Sequence, residues 1–193
     1  MIETSVANQA FRNYYVSRKN LRVLEIGTLQ SVPGISTHSK ARIQNWSEYI
    51  LCDMSPGDDV DIVCDAHKLT DQFQKNSFDI VVINSVLEHV RRPWIVAQQI
   101  YAILKRNGIV HVQTHQSFPL HGYPDDYYRF SIEALSDIFG PPEGYHILAT
   151  GYEFPCTISF SDGQSPPIHW DLKDARTNCY LNSVILSMKL KES

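Results

Sequence analysis

The feature that most constrains this chain is Phe78-Asp79-Ile80-Val81-Val82-Ile83, a nearly continuous apolar run inside SFDIVVINSVL. A run so short and so β-branched suits a central strand covered on both faces, because a strand with one wet face alternates polar and apolar side chains. The pattern recurs around it. LRVLEIG (21–27), EYILCD (48–53), DIVCD (61–65) and GIVHVQTH (108–115) read as further strands, separated by longer amphipathic stretches. PWIVAQQIYAILKRNG (93–108) is the clearest helix. Pro93 suits its first turn, Ile95, Ile100, Ile103 and Leu104 gather toward one face, Lys105 and Arg106 complement the C-terminal dipole, and Gly108 ends it. STHSKARIQNW (36–46) predicts a modest helix after the first strand, and SIEALSDIFG (131–140) a short one with Ser131 as its cap.

Strands alternating with helices imply a parallel sheet. The last third differs: YHILATGYEF and CYLNSVILSMKL are two strands joined by a Gly/Pro/Asp-rich connection without a helix of comparable length, so they pair antiparallel. The expected fold is α/β, a Rossmann-like, seven-stranded, mostly parallel sheet with an antiparallel C-terminal edge hairpin and helices on both faces. A chain of 193 residues buries one substantial core, so 1–193 is expected to be a single domain: a core of 21–193 preceded by an N-terminal helical segment, 1–20.

A net charge of −4 without clustered Lys or Arg argues against nucleic acid as a partner. No apolar run approaches the roughly 20 residues that span a bilayer, and the N-terminus lacks a basic-then-apolar leader, so no membrane association and a cytoplasmic location are expected. Cys52, Cys64, Cys156 and Cys179 show no CxxC spacing, which predicts free thiols rather than disulfides or zinc ligands.

In an open α/β sheet, ligands bind beyond the carboxyl ends of the strands, where strand order reverses. Those ends carry Glu25 and Gly27, Asp53, Asp65 and Ala66, Asn84, and His115. A glycine in the first turn lets backbone approach a ligand, and an acid some 20 or more residues later can accept from ribose hydroxyls. Asp53 is equally a turn former before Ser55-Pro56-Gly57, and Asp65 equally a helix cap.

In order along the chain, VLEIG, LCD, DAHKL, SFDIVVINSVLEHVRRPW, ILKRNGIVHVQTH and YPDDYYRFS resemble the class I S-adenosylmethionine-dependent methyltransferases, and in particular small domains with LEH after the fourth strand. The resemblance covers residues 21–135 and implies S-adenosyl-L-methionine as cofactor. It places Glu25 and Gly27 under the methionine part, Asp53 at the ribose, Asp65 and Ala66 at the adenine, and Asn84 facing the reacting sulfonium. A nicotinamide dehydrogenase would also use Gly27 and Asp53, but it explains neither LEH nor the antiparallel final pair.

The family's first loop, acid-x-Gly-x-Gly-x-Gly, departs here: Leu29 and Ser31 replace glycines, and glycine returns only at Gly34. Either the loop takes another course, or cofactor binding is lost and the chain is a non-catalytic binding or assembly partner. His89 and His115 are the candidate catalytic bases, each set against a plain hydrogen-bonding role. Glu88 and His89 make half of a metal site of the kind seen in some quinone-type relatives. No second acid is evident, so no metal is expected. Tyr127 and Arg129 are the candidate substrate contacts, with Arg129 gripping an anionic group or else pairing with a nearby aspartate. His169 and Trp170 either line the pocket or pin the late loop. The expected partner is a small-molecule acceptor, and homo-oligomerisation is left open.

Overall fold

The computed structural model describes residues 5–122, 124–156 and 179–190. His169, Trp170 and Tyr123 lie outside the described residues. The strands are β1 (Leu21–Ile26), β2 (Trp46–Asp53), β3 (Ile62–Val63), β4 (Phe78–Asn84), β5 (Leu104–His115), β6 (Tyr145–Cys156) and β7 (Cys179–Lys189). They form one sheet in the order β3-β2-β1-β4-β5-β7-β6. The first five are parallel, and β7 runs against both β5 and β6, as the edge hairpin required.

The apolar run lands at the centre. Phe78, Ile80, Val81, Val82 and Ile83 of β4 are fully buried. Each such side chain contributes roughly 1.5–3 kcal/mol, so this strand anchors the middle of the sheet. One face is covered by α3 (Pro93–Ile103) and α4 (Ile132–Ile138), which bury Val96, Ala97, Ile100, Ile103 and Leu135 against the sheet, α4 over β6 and β7. The other is covered by α1 (Val6–Val16), through Phe11, and by Ile43. Ser5 caps α1 by accepting from the Asn8 amide, and Ser131 caps α4 by accepting from that of Ala134. A four-residue helix, α2 (Leu69–Gln72), packs beside α3.

Two expectations fail. The helix of 93–108 ends at Ile103: Leu104 is already extended, the Asn76 and Ser77 amides take up the carbonyls of Ala102 and Ile103, and Lys105 is drawn to Asp79 at 2.7 Å. Its buried face centres on Val96, Ala97 and Ile100, with Ile95 only half-buried. The helix expected over 36–46 is also missing. A single turn forms where the Arg42 and Ile43 amides bond Ser39 O, but both oxygens of the buried Glu25 capture the Ser39 amide, and Asn45 is left-handed (φ 66°). The crossover from β1 to β2 is therefore irregular, where parallel strands usually use a helix. All four cysteines are free.

Candidate functional site

Strand order reverses between β1 and β4, and the cleft of about 1730 Å³ that opens there is lined by the predicted strand ends Glu25, Gly27, Asp53, Asp65, Ala66 and Asn84. Because no helix fills the β1–β2 crossover, the same cleft continues beneath 37–45 to Phe11, Arg12 and His111.

Gly27 turns the chain out of β1 with φ 80°, and a Cβ there would lie 2.0 Å from Val86 Cγ2. Only glycine meets both demands. Leu29, in contrast, is absent from the left-handed residues. Its amide donates to Asp53 Oδ2 (3.2 Å), and its side chain, at the cleft's edge, rests on Gly57, where a Cβ would come within 2.4 Å of Leu29 Cδ1. Thr28 and Gln30 tie the loop to Asp59, and Gly34, at φ 79°, donates its amide back to Gln30 Oε1. The loop thus takes another course and leans on the β2–β3 connection, leaving Leu29 unstrained.

The acids fall into three situations. Asp53 holds the amides of Leu29 and Ser55, one on each oxygen. Asp65 accepts from the His67 amide and ring; partial burial pushes its carboxyl up, but these hydrogen bonds outweigh that and hold it below the usual range. Glu25 is buried on the opposite face, where Tyr49 and Ser39 bind it and desolvation raises its pKa. Its carboxylate holds the crossover in place. Asn84 Oδ1 is buried, aimed at the cleft and without a hydrogen-bond partner. Ser85 follows it at φ 51°, a strained bend on the cleft wall that no sequence signal announced.

Across the cleft, residues 124–130 pack over LEH, the Tyr127 and Tyr128 amides reaching Glu88 O, with 116–122 beside them. His89 Nδ1 lies 2.6 Å from Asp125 O, so that nitrogen carries the proton and Nε2 keeps its lone pair at the cleft. His115 is instead set back, between Asn182 and the fully buried Glu88. Tyr127 lines the cleft, its hydroxyl bonded to Asp125 and Arg91. Arg129 departs from the expected substrate contact. Its five N–H donors reach Asp126 twice and the carbonyls of Phe118, Pro119 and Tyr128, so it braces the segment and has none left for an anionic group. His121 was not foreseen; it projects from this segment into the cleft wall.

These residues fit the cofactor that the sequence implied. The bare backbone at Gly27, the carboxylates of Asp53 and Asp65, and the orphaned Asn84 oxygen suit a ribose and a cationic sulfonium, and no lysine lines the cleft among the described residues. The sheet order and the site define a Rossmann-like methyltransferase fold. A methyltransferase-domain family model matches residues 33–112, beginning inside the loop that departs from the family pattern. No curated protein matches the chain in sequence. Among solved structures, a chain from the complex between the Haloferax volcanii Trm112 methyltransferase activator and a methyltransferase is similar at 16% identity and TM-score 0.65, covering 97% of this chain and 90% of that one. YcgJ from Bacillus subtilis is similar at 15% identity and TM-score 0.64 (96% and 99%). The 1,6-didemethyltoxoflavin-N1-methyltransferase of Burkholderia thailandensis, solved with S-adenosylhomocysteine, is similar at 12% and 0.64 (94% and 76%). The family match over residues 33–112 and the shared fold mark the chain as similar to S-adenosylmethionine-dependent methyltransferases.

Proposed function

We propose that this protein transfers a methyl group from S-adenosyl-L-methionine to a small-molecule acceptor. The observation that carries the reading is the run of strand ends at the β1/β4 reversal, above all the buried, unpartnered Asn84 oxygen beside Gly27. Asp53 accepts from the ribose hydroxyls with the lone pairs its two amide bonds leave free, and Asp65 with the Ala66 backbone serves the adenine. Asn84 faces the charged end, and Glu25 shapes the turn from behind.

When bound, the cofactor supplies an electrophilic methyl carbon and leaves as a neutral thioether. The acceptor lies between that carbon and the wall made by His89, His121 and Tyr127. His89 takes the acceptor's proton at Nε2 while Asp125 O holds the ring by Nδ1. In-line transfer asks mainly for this positioning. Arg129 and Asp126 keep the wall rigid. Thiols such as buried Cys52 and Cys64 suit a reducing, cytoplasmic setting.

The second reading, a non-catalytic partner, rested on Leu29; its backbone outside the left-handed region and its packing on Gly57 speak against that reading. The test follows S-adenosylhomocysteine release over a panel of sugar and phenolic acceptors. Turnover is expected on at least one, falling about 10²–10⁴-fold in His89→Ala with cofactor affinity unchanged. An unchanged rate in that variant removes His89 as base, and cofactor binding without turnover on any acceptor favours the partner reading.

A further inference from the structure

The part of the site that the methyltransferase reading leaves unused is the group behind His89. Glu88 is fully buried, and one of its oxygens, Oε2, accepts from Thr114 Oγ1 at 2.7 Å. The other, Oε1, has no hydrogen-bond partner, although His115 Nε2 lies only 3.1 Å away, off the line of a hydrogen bond. A buried carboxylate oxygen in that state is costly, and something is expected to satisfy it.

The two neighbouring histidines are oriented alike. His115 presents Nδ1 to Asn182 Oδ1 at 3.0 Å, and His121 presents Nδ1 to Pro119 O at 3.1 Å, with Asp126 Oδ2 a further 3.5 Å neighbour. Both Nδ1 atoms face acceptors and so carry the proton. Both Nε2 atoms are left as lone pairs. Nδ1–H held by an oxygen, with Nε2 free, is how a protein prepares a histidine as a metal ligand. Glu88, His115 and His121 each bring a ligand atom to within 4.8 Å of the other two. Ligands about 2.0–2.2 Å from one ion sit roughly 3 Å apart, so the segment that carries His121 closes by an ångström or so on binding.

We propose that Glu88, His115 and His121 bind a divalent transition-metal ion, zinc being the simplest occupant, at the acceptor end of the cleft. Two imidazoles and one carboxylate leave coordination positions open. His121 lines the cleft wall, so those positions face the acceptor. Resting on the methyltransferase reading, this names the acceptor class: a molecule whose nucleophile is a hydroxyl, bound as an oxygen ligand and made more acidic by the ion, with His89 receiving its proton. The set differs from the half-site first suspected at Glu88 and His89, because His89 turns Nδ1 to Asp125 and is free to act as base. It also replaces the expectation of no metal.

The test is independent of turnover. The purified, metal-stripped chain is titrated with cobalt(II), read by its visible absorption, and with zinc by calorimetry. One equivalent is expected to bind, with affinity falling more than about 100-fold in His121→Ala and about 10–100-fold in Asn182→Ala, which disturbs only the ring that Asn182 orients. Circular dichroism checks that both variants remain folded. No stoichiometric binding, or binding unchanged in folded His121→Ala, overturns the site. S-adenosylhomocysteine titration of the same samples separates the two claims: cofactor binding without cobalt sinks the metal alone, and cobalt binding without cofactor sinks the methyltransferase reading.

Discussion

The two walls of the cleft satisfy their polar groups in opposite ways. On the proposed cofactor side, Asp53 and Asp65 are held by the chain's own amides, those of Leu29, Ser55 and His67. At the reacting end, where the proposed sulfonium and acceptor meet, Asn84 Oδ1 on the cleft and Glu88 Oε1 behind it are buried without hydrogen-bond partners. The first wall is preorganised by backbone, and its geometry stands before anything binds. The second holds unmet demand, which only a ligand relieves. A loop with Leu29 and Ser31 in place of two glycines can therefore remain competent, because side-chain carboxylates position it where glycine flexibility does so in the family pattern.

The change that breaks this comparison most severely is Gly27→Val. It puts a branched side chain at φ 80° and 2.0 Å from Val86, and S-adenosylhomocysteine binding measured by calorimetry is expected to vanish. Asp53→Ala comes next. It removes the acceptor for two loop amides together with the proposed ribose contact, and the same titration is expected to show a 10–100-fold loss, about 1.5–3 kcal/mol.

A smaller effect sharpens what an unpartnered atom means. His111 Nδ1 is also buried without a hydrogen-bond partner, yet Nε2 bonds Asn8 Oδ1 at 2.6 Å and the ring stacks on Phe11. Burial, helped by Arg42, pushes its pKa down to about 3, so the ring is neutral and imposes no demand comparable to Glu88. The unfolded histidine titrates near 6.5. Between those values the unfolded chain binds the extra proton, so this contribution to stability is complete above 6.5 and is lost as pH falls toward 3. Urea unfolding at pH 7.5 and 5 is expected to show wild type losing about 2 kcal/mol more than His111→Leu. Equal losses would contradict the assignment. The smallest effect is that of Leu29→Ala, whose side chain packs on Gly57. Stability should drop by about 1 kcal/mol, and cofactor affinity should stay within about threefold of wild type.

What the sequence disclosed follows the same division. The β4 run, the capping serine at 131 and the helix-free final pair declared the sheet and its edge, since burial on both faces and local capping leave local traces. The strand-end residues were readable for the same reason, as each sits where a periodic run stops. The crossover after β1 was not, because Glu25 removes the Ser39 amide from any helix through a contact 14 residues long in sequence. Arg129 illustrates the limit of residue type alone. Its neighbour Asp126 and three carbonyls decide its role, and only one of those partners was suspected. His121 went unnoticed since nothing in HGYPDDYY shows that the segment folds back over Glu88, as the Tyr127 amide to Glu88 O bond at 2.7 Å now does.

If the account holds, this loop binds the cofactor although Leu29 and Ser31 stand where the family pattern has glycines. Calorimetric titration of the whole chain with S-adenosylhomocysteine tests it most directly. One site of about micromolar affinity, abolished by Gly27→Val and weakened by Asp53→Ala, is the predicted result; no heat of binding up to millimolar ligand with folded protein would contradict it.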